Sequence, residues 1–363
     1  MKSRVFSVEV KPDWEAFVAC ILRQGTPRRV HFIELFLDGE VQAAICERFG
    51  LLEGLDPDDP YYPQKRQVML QRELGYDYVR AGLEDFDWPL KRTIIADTAE
   101  LERTSGRSFM EEHVGPITNW DEFEAYSWPD PLAASTRSME WYQKNLPDDM
   151  CIVASGGFAH FAEHVTWLMG YETLCYALYD QRDLVAAIRD RVTEIYRIAL
   201  ARMLEFDRMK VVWGSDDMGF RSGTLVSPAD TREFMLPGHK LMAEMAHASG
   251  RPYLMHSCGN MSAIMEDLIE DVRIDAFHSF EDTILDVITA KELYGDRIAM
   301  LGGIAVDFMC RASEEQIRQR VRETLDRCMP GGGYCLGTGN SVANYIPLDH
   351  YLAMMDEGHK YIP

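Results

Sequence analysis

The stretch Arg251-Pro-Tyr-Leu-Met-His-Ser-Cys-Gly-Asn260 contains an apolar run that leads into His256 and Cys258. We predict a β-strand over Pro252–Cys258, and alternate residues of a strand point to the same side, so both side chains leave one face. An imidazole and a thiolate at the carboxyl end of a strand suit a zinc-type site. Taken alone, the stretch leaves open a buried cysteine beside a hydrogen-bonded core histidine.

The same pattern, an apolar strand that ends in polar or glycine residues before a helical stretch, recurs along the chain. The predicted strands are Val30–Glu34, Tyr76–Arg80, Cys151–Ser155, Val211–Asp216, Pro252–Cys258, Ile274–Ser279, Ile298–Gly303 and Gly333–Thr338. Amphipathic helices are clearest over Asp180–Phe206 and Ser313–Cys328, and Ser227-Pro228-Ala229-Asp230 is typical of a helix start. This alternation predicts a parallel (β/α)₈ TIM barrel, with an open doubly wound sheet as the alternative.

Residues 84–145 interrupt the alternation after the second predicted strand. The segment is rich in tryptophan, proline and acidic residues, as in Trp128-Pro129-Asp130-Pro131. We predict an insertion that lies over the barrel and forms part of its pocket, with a surface excursion as the alternative. With a helix before the first strand, the prediction is a single barrel domain over residues 1–363.

Composition limits the classes of partner. The chain of 363 residues has 37 lysines and arginines against 59 acidic residues, a net charge of −22. Such a surface repels nucleic acid and anionic lipid. The sequence shows no signal peptide and no membrane-spanning stretch, and its 8 cysteines are scattered. We therefore expect reduced thiols and a cytoplasmic protein without nucleic-acid or membrane partners.

Candidate functional residues lie at the predicted carboxyl ends of several strands, where barrel enzymes carry their chemistry. We predict catalytic roles for Glu34, His160, Asp216 and Asp217, substrate binding for Glu281 and Asn340, and metal binding for His256 and Cys258. Each residue also has a structural alternative. Asp216 and Asp217 could cap the following turn, and Glu34 could pair with Arg28 or Arg29. The shared rim favours the functional interpretation.

Glycine and serine motifs exclude two further classes of site. Gly331-Gly332-Gly333 precedes a predicted strand, which is the wrong order for a phosphate cradle, and Gly302-Gly303 lacks the remaining glycines of such a motif. The chain has no Gly-x-Ser-x-Gly elbow, so a serine hydrolase is poorly supported.

Several motifs in order resemble the uroporphyrinogen decarboxylase-like superfamily, which includes the corrinoid-dependent methyltransferases. They are Ser215-Asp-Asp-Met-Gly, Leu225-Val-Ser-Pro-Ala, Leu236-Pro-Gly-His-Lys, His256-Ser-Cys-Gly-Asn, Lys291-Glu-Leu-Tyr-Gly-Asp, Leu301-Gly-Gly-Ile, Gly332-Gly-Tyr-Cys-Leu and Pro347-Leu-Asp-His. The resemblance covers residues 150–360 well and the first 150 residues loosely. It implies a (β/α)₈ barrel, in agreement with the strand pattern.

Two departures separate this chain from true uroporphyrinogen decarboxylases. Those enzymes carry an N-terminal Arg-Gln-Ala-Gly-Arg-Tyr motif for substrate carboxylates, and the equivalent region here is Arg28-Arg-Val-His-Phe-Ile-Glu-Leu. They also place an aspartate after the second strand, where this chain has Arg80-Ala-Gly-Leu-Glu. The resemblance therefore favours the methyltransferase branch.

The methyltransferase branch has His-x-Cys on the fifth strand, which this chain keeps as His256 and Cys258. The resemblance implies that zinc held there binds an acceptor thiol and lowers its pKa. The branch's third ligand, a cysteine after the eighth strand, aligns with Asn340, and Cys335 has the opposite strand parity. A metal would then need His160, Glu34, Asp216 or another rim residue.

We thus predict a corrinoid-linked methyltransferase that acts on a small methylated compound or on a thiol or folate acceptor. The resemblance implies zinc at an incomplete family site and a corrinoid, carried by a partner protein, as methyl donor or acceptor. A homodimer is compatible with the sequence. The alternatives are a metal-free carboxy-lyase of the decarboxylase type and a non-catalytic barrel that binds a ligand.

Overall fold

One parallel sheet forms the centre of the molecule. The computed structural model describes residues 5–9, 11–111, 113–154 and 158–363. Numbered in chain order, the strands of the 7-stranded sheet are β1 (Tyr78–Ala81), β4 (Cys151–Ala154), β5 (Met209–Asp217), β8 (Tyr253–Cys258), β9 (Ala276–His278), β10 (Ala299–Leu301) and β11 (Tyr334–Cys335), in that spatial order. Two antiparallel hairpins stand apart, β2 (Arg92–Ile95) with β3 (Arg107–Met110) and β6 (Gly219–Phe220) with β7 (Gly223–Thr224).

Helices occupy most of the connections between the strands. They are α1 (Trp14–Ile21), α2 (Gly39–Phe49), α3 (Tyr62–Leu74), α4 (Trp120–Ala125), α5 (Arg137–Asn145), α6 (Phe161–Met169), α7 (Tyr171–Asp180), α8 (Arg182–Leu204), α9 (Pro228–Asp230), α10 (Leu236–Ala248), α11 (Met265–Asp267), α12 (Val287–Tyr294), α13 (Val306–Arg311), α14 (Glu314–Cys328) and α15 (Leu348–Lys360), with π-helical turns at Thr231–Met235 and Leu268–Val272. No helix among the described residues is both long and apolar enough to cross a membrane.

Local sequence explains where several of these helices begin. The Ser227 hydroxyl accepts from the Asp230 amide and Pro228 takes the first helical position, as predicted. Ser313 and Gln316 form a capping box at the start of α14. The predicted helix over Asp180–Phe206 is divided at Gln181 into the end of α7 and the whole of α8.

The first predicted strand, residues 30–34, is extended but pairs only through a single bridge. Phe32 bridges Leu336 in parallel, with Ile33 N donating to Leu336 O at 2.9 Å and Leu336 N donating to His31 O at 2.8 Å. On its other side the described contacts with β1 run through side chains, such as the Tyr78 hydroxyl at 3.1 Å from Glu34 N. The prediction of a parallel α/β fold is confirmed, and residues 30–34 adjoin the sheet just beyond β11 through the bridge to Leu336.

The register of β5 and β8 determines which side chains meet at the carboxyl ends. Ser215 pairs with His256, Asp216 with Ser257, and Asp217 with Cys258. Because side chains alternate along both strands, Asp217, His256 and Cys258 share one face, and Asp216 lies on the other. The predicted strand Cys151–Ser155 ends at Ala154 in β4, and Ser155 with Gly156-Gly157 lies outside the described residues.

The segment 84–145 contains the β2–β3 hairpin and the helices α4 and α5. An antiparallel bridge between Glu84 and Ser135 closes its base. Farther out, Arg107 contacts Asn344, and the Asn344 amide donates to Asp97 at 2.6 Å. The segment is therefore attached both to the end of β1 and to the loop that follows β11.

Candidate active site at the carboxyl ends of the strands

Three potential metal ligands meet where β5 and β8 end. His256 Nε2 lies 3.5 Å from Cys258 Sγ and 3.7 Å from Asp217 Oδ1, and all three ligand atoms lie within 4.8 Å of one another. Among the described residues this is the group that the structure assembles in a geometry suitable for a metal. The predicted pair His256 and Cys258 thus gains Asp217 as its third member.

The spacing of these donor atoms fits a tetrahedral ion. Zinc binds protein nitrogen, oxygen and sulfur ligands at about 2.0–2.3 Å, so two ligands of one tetrahedral ion are separated by about 3.3–3.8 Å. The distances from His256 Nε2 to the other two ligand atoms fall in this range. A nitrogen, a thiolate and a carboxylate are also ligand types that zinc accepts, and three protein ligands leave a fourth position for a reactant.

The electrostatics of the cluster favour a cation. Burial and the neighbouring Asp217 carboxylate raise the pKa of the Cys258 thiol, and burial raises the pKa of Asp217. The Asp217 carboxylate therefore opposes ionisation of the Cys258 thiol in the protein alone, whereas the hydrogen bonds from Cys258 favour the ionised carboxylate. A positive ion reverses this effect by stabilising both anions. Asn340 Nδ2, 3.2 Å from Cys258 Sγ, provides a neutral hydrogen-bond donor to the sulfur.

His256 is buried and is paired with a second histidine. Its Nδ1 lies 2.7 Å from Nδ1 of His278 on β9. Burial lowers the pKa of both imidazoles, that of His278 to about 3, so both rings are neutral near pH 7. One ring must donate to the other, and Nε2 of His256 faces Cys258 and Asp217.

A cavity of about 570 Å³ lies beside the cluster. Glu34, Arg80, His160, Trp213 and Ser215 are among the residues that line it, together with Glu84 and Tyr142 from the ends of the segment 84–145. Ser215 connects the cavity to the cluster, because it is the register partner of His256.

A second cleft, of about 640 Å³, opens in another sector of the rim. It is lined by Asn340 and Glu281, and also by Asp307 and Tyr345. Asn340 contacts Cys258, so one wall of this cleft adjoins the ligand cluster.

Glu34 lies in the cavity wall and is not part of the ligand cluster. Its carboxyl accepts from Thr338 N at 2.8 Å and lies 2.5 Å from Thr338 Oγ1. Burial raises the pKa of Glu34 to about 8, although the Thr338 hydrogen bonds act against this. The group is therefore a protonated acid near neutral pH. The sequence analysis gave an ion pair with Arg28 or Arg29 as the alternative for Glu34. In the structure Glu34 contacts Thr338, and Arg29 pairs with Asp77.

His160 precedes α6 and binds Glu163, a residue that the sequence analysis missed. Nδ1 of His160 contacts the Glu163 carboxylate. Burial opposes protonation, but the Glu163 carboxylate raises the pKa of His160 above its usual value. Burial in turn raises the pKa of Glu163. This pair can hold or move a proton at the edge of the cavity.

Asp216 has a structural environment. It is fully buried, and it accepts from Ala162 N at 2.7 Å, Glu163 N at 2.9 Å and His239 Nε2 at 2.9 Å. Burial opposes ionisation, but the imidazole and the two amides hold its pKa below the usual value. The carboxylate caps α6, which differs from the predicted cap of the turn after β5. It faces neither the cavity nor the ligand cluster.

The two predicted substrate-binding residues differ in their distance from the cluster. Asn340 lies against Cys258, as the alignment of the resemblance predicts for the third ligand position. Glu281 is exposed in the loop after β9 and borders the second cleft without joining the cluster. Cys335 hydrogen-bonds to Cys20 of α1, away from the cluster, and all 8 cysteines are free thiols.

Sequence comparison places this site within a known family. The family model described as uroporphyrinogen decarboxylase (URO-D) matches residues 113–361. A protein of Methanosarcina mazei named methylated-thiol–coenzyme M methyltransferase is 32% identical over 133 residues, which are 36% of this chain and 33% of that protein. The alignment thus spans about a third of that relative's length. Because the family model covers well over half of the 363 residues, the chain belongs to the uroporphyrinogen decarboxylase family.

Proposed function

We propose that the protein is a methyltransferase of the corrinoid-linked branch of this family. It would act on a small methylated compound or on a thiol or folate acceptor, with a zinc-type ion held by Asp217, His256 and Cys258. The observation that carries the proposal is the grouping of three potential ligand atoms within 4.8 Å of one another, with His256 Nε2 at 3.5 and 3.7 Å from the other two. The name of the Methanosarcina relative, which specifies methyl transfer between a methylated thiol and coenzyme M, supports the same class of reaction.

The residues of the site would have separate roles in such a methyl transfer. A zinc-type ion supplies Lewis acidity, which lowers the pKa of a bound thiol. His256 and Cys258 would hold the ion from β8 and Asp217 from β5, with the Asn340 amide supporting the Cys258 sulfur. The His160–Glu163 pair would take the proton that an acceptor thiol releases.

The two openings near the ligand cluster suit a reaction between a small substrate and a larger partner. The small substrate would occupy the 570 Å³ cavity, where Arg80 and Glu34 supply polar groups. The corrinoid, carried by a partner protein, would approach through the 640 Å³ cleft, where Glu281 and Asn340 line the wall. Donor and acceptor would then meet at Cys258 from different sectors of the rim.

The proposal also covers the closure of the barrel, the domain organisation and the location of the protein. We infer a (β/α)₈ barrel that residues 30–34 complete between β11 and β1, because this segment bridges Leu336 and its Glu34 contacts Tyr78. Residues 1–363 would form one domain with the segment 84–145 as an insertion. Free thiols throughout the chain support a cytoplasmic location.

Metal analysis of the purified protein tests the proposal. Wild type prepared under reducing, chelator-free conditions should contain stoichiometric zinc, and Cys258→Ser and His256→Ala should lose it. Cys175→Ser, which changes a half-buried thiol on α7 outside the cluster, is the matched control and should keep the metal. Wild type without metal would overturn the proposed centre. Methyl transfer from methylcobalamin to thiols or tetrahydrofolate is the corresponding activity assay.

One observation favours a metal-free carboxy-lyase as the second candidate. Glu34 lines the cavity and keeps its proton at neutral pH because burial raises its pKa to about 8. A carboxylic acid of this kind can protonate the carbanion that decarboxylation leaves. Turnover of a carboxylate substrate by chelator-treated protein, with loss of turnover in Glu34→Gln, would establish this alternative. Activity that requires zinc would exclude it.

A further inference from the structure

Arg80 places a positive charge in the wall of the 570 Å³ cavity. It is the one arginine or lysine among the described residues that line this cavity. Its Nη1 donates to Glu34 O at 3.2 Å, which holds the side chain in place. Burial lowers the pKa of Arg80 to about 10, so the guanidinium keeps its charge near pH 7. A charge that is partly shielded from water interacts strongly with an anion that enters the same cavity.

The acidic residues of the cavity wall leave room for such an anion. Glu34 is a neutral acid near pH 7, because burial raises its pKa to about 8, and its carboxyl group is bound to Thr338. Glu84 lies beyond the end of β1, where it accepts from the Ser138 hydroxyl. Glu34 therefore adds no negative charge beside Arg80 that would repel an anionic ligand at neutral pH.

Trp213 provides a second donor next to the guanidinium. Arg80 Cζ lies 4.7 Å from the centre of the Trp213 ring, and Trp213 also lines the cavity. The indole is buried, and its Nε1 has no hydrogen-bond partner among the described residues. A buried N–H group costs free energy unless some group accepts from it. Two N–H donors, one of them charged, thus belong to neighbouring side chains of the wall.

This pair of donors lies on the face of β5 that also carries the ligand cluster. Trp213, Ser215 and Asp217 alternate along the strand, so their side chains point to one side. Ser215 is the register partner of His256, and Trp213 precedes it by one strand repeat, about 6.6 Å. A molecule of a few carbon atoms can therefore contact Trp213 at one end and approach the cluster with the other.

The same two side chains disfavour a cationic substrate. Aromatic faces bind methylated ammonium ions through cation–π attraction. In this cavity the Arg80 guanidinium already covers a face of Trp213. A substrate ammonium group would meet a like charge there, which is unfavourable.

We propose that the substrate of the 570 Å³ cavity carries a carboxylate, which accepts from the Arg80 guanidinium and from Trp213 Nε1 while the reacting group faces the ligand cluster. The inference rests on the proposed function, because it takes this cavity as the substrate site. A planar carboxylate matches the parallel N–H donors of a guanidinium. Arg80 and Trp213 are thereby binding residues that select the substrate by its charge.

Three probes that differ only in their head group test this selection in the wild-type protein. They are methylthiopropanoate, methylthiopropanol and methylthiopropylamine, and titration calorimetry of the full chain at neutral pH measures their binding without turnover. The anion should bind at least about tenfold more tightly than the alcohol, and the amine should bind most weakly. Equal binding of the three probes, or binding of none, would overturn the proposal.

Substitution of the two binding residues locates the preference. Arg80→Met removes the charge, so affinity for methylthiopropanoate should fall by about 10–100-fold while affinity for the alcohol stays unchanged. Arg80→Lys restores the charge without the planar fork and should recover part of the loss. Trp213→Phe keeps an aromatic ring beside the guanidinium, removes the Nε1 donor and should weaken the anion by a smaller factor. Arg327→Met, at a surface arginine of α14 that pairs with Glu292, is the matched control.

Unchanged affinity for the alcohol separates loss of charge recognition from loss of structure. If Arg80→Met does not fold, the preference of wild type and the effect of Trp213→Phe decide the matter. A folded Arg80→Met protein that binds the anion as tightly as wild type does would contradict the role of Arg80.

Repeating the titrations on chelator-treated protein separates this inference from the proposed function. If wild type contains no zinc but prefers the anion, and Arg80→Met loses that preference, the metal centre fails and the carboxylate site stands. If wild type contains zinc and transfers methyl groups but binds the three probes equally, the proposed function stands and the carboxylate site is wrong.

Discussion

The two faces of β5 and β8 carry similar residues that serve different purposes. On the outer face, Asp216 binds two amides and His239, and Tyr253 binds the other nitrogen of His239 at 2.8 Å. On the inner face, His256 Nε2 lies 3.5 Å from Cys258 Sγ and 3.7 Å from Asp217 Oδ1, and Asp217 Oδ1 accepts from the Cys258 amide at 3.1 Å. The outer groups form a closed hydrogen-bond network, whereas the inner side chains direct three potential metal-ligand atoms toward one another. Strand parity thus assigns two adjacent aspartates to different environments, Asp216 to a buried hydrogen-bond network and Asp217 to the candidate metal-ligand cluster.

Truncation of the two neighbouring aspartates is the strongest way to test this comparison. Asp216→Ala should lower the free energy of unfolding by about 3–5 kcal/mol, because it removes one member of a fully buried pair and the cap of α6. Asp217→Ala, at a side chain that is 48% exposed, should cost less than about 1 kcal/mol. Denaturant unfolding of the apo proteins measures both. Equal losses would contradict the assignment of the two faces.

Glu34 adds to this comparison a buried carboxyl group that lies in the cavity wall. Its pKa rises from 4.5 to about 8 on folding, so between these pH values the folded chain keeps a proton that the unfolded chain has lost. The stability that wild type has at low pH therefore falls as pH rises, by at most about 1.4 kcal/mol per pH unit. Glu34→Gln, which does not titrate, should lack this loss. Denaturant unfolding at pH 5 and pH 8 checks the difference, and parallel pH profiles would refute it.

Asp217→Asn sharpens the functional side of the comparison. Removal of a partner that only supports a metal ligand typically costs 10–100-fold in affinity, so loss of a direct ligand should weaken zinc binding by at least about tenfold. Competition with a chromophoric chelator measures the affinity. Asp180→Asn, at the end of α7, is the matched acidic control and should bind zinc as wild type does. If Asp217→Asn binds zinc as tightly as wild type, Asp217 is not a ligand and only His256 and Cys258 remain as candidate ligands.

Tyr253→Phe is the mildest test of the outer face. It removes the hydroxyl that contacts His239 Nδ1 and keeps the buried ring, so the expected loss of stability is about 1 kcal/mol. Zinc affinity should not change, because the contact lies on the far side of β8 from the cluster. A change in metal binding without a change in unfolding free energy would contradict the separation of the two faces.

Local sequence was sufficient to predict features that depend on one segment. His256 and Cys258 share a face because they are two residues apart in one strand, and the cap at Ser227 depends on its immediate neighbours. The position of Asn340 beside Cys258 came from family spacing and not from physical reasoning. The first predicted strand is less regular than expected, since residues 30–34 form one bridge to Leu336.

The contacts that sequence reasoning missed depend on register between segments. Asp217, predicted as a catalytic residue, joins the candidate metal-ligand cluster because it pairs with Cys258 across two strands that are distant in sequence, and no local pattern gives that register. His278 meets His256 for the same reason. Glu163 had a usable signal, because it follows His160 by three residues at a helix start, where such side chains meet.

The loop after β11 is held at both ends, by Cys258 at Asn340 and by the segment 84–145 at Asn344, whose amide donates to Asp97 and to Leu101 O at 2.7 Å. Substitutions in the loop after β11 and in the segment 84–145 should therefore be correlated between relatives. Exposed residues of the hairpin, such as Ile94 and Phe109, should vary more between relatives than the residues of these contacts. A relative that shortens this hairpin past Asp97 must secure its rim loop by another contact, so the length of the segment and the chemistry at position 344 should change together.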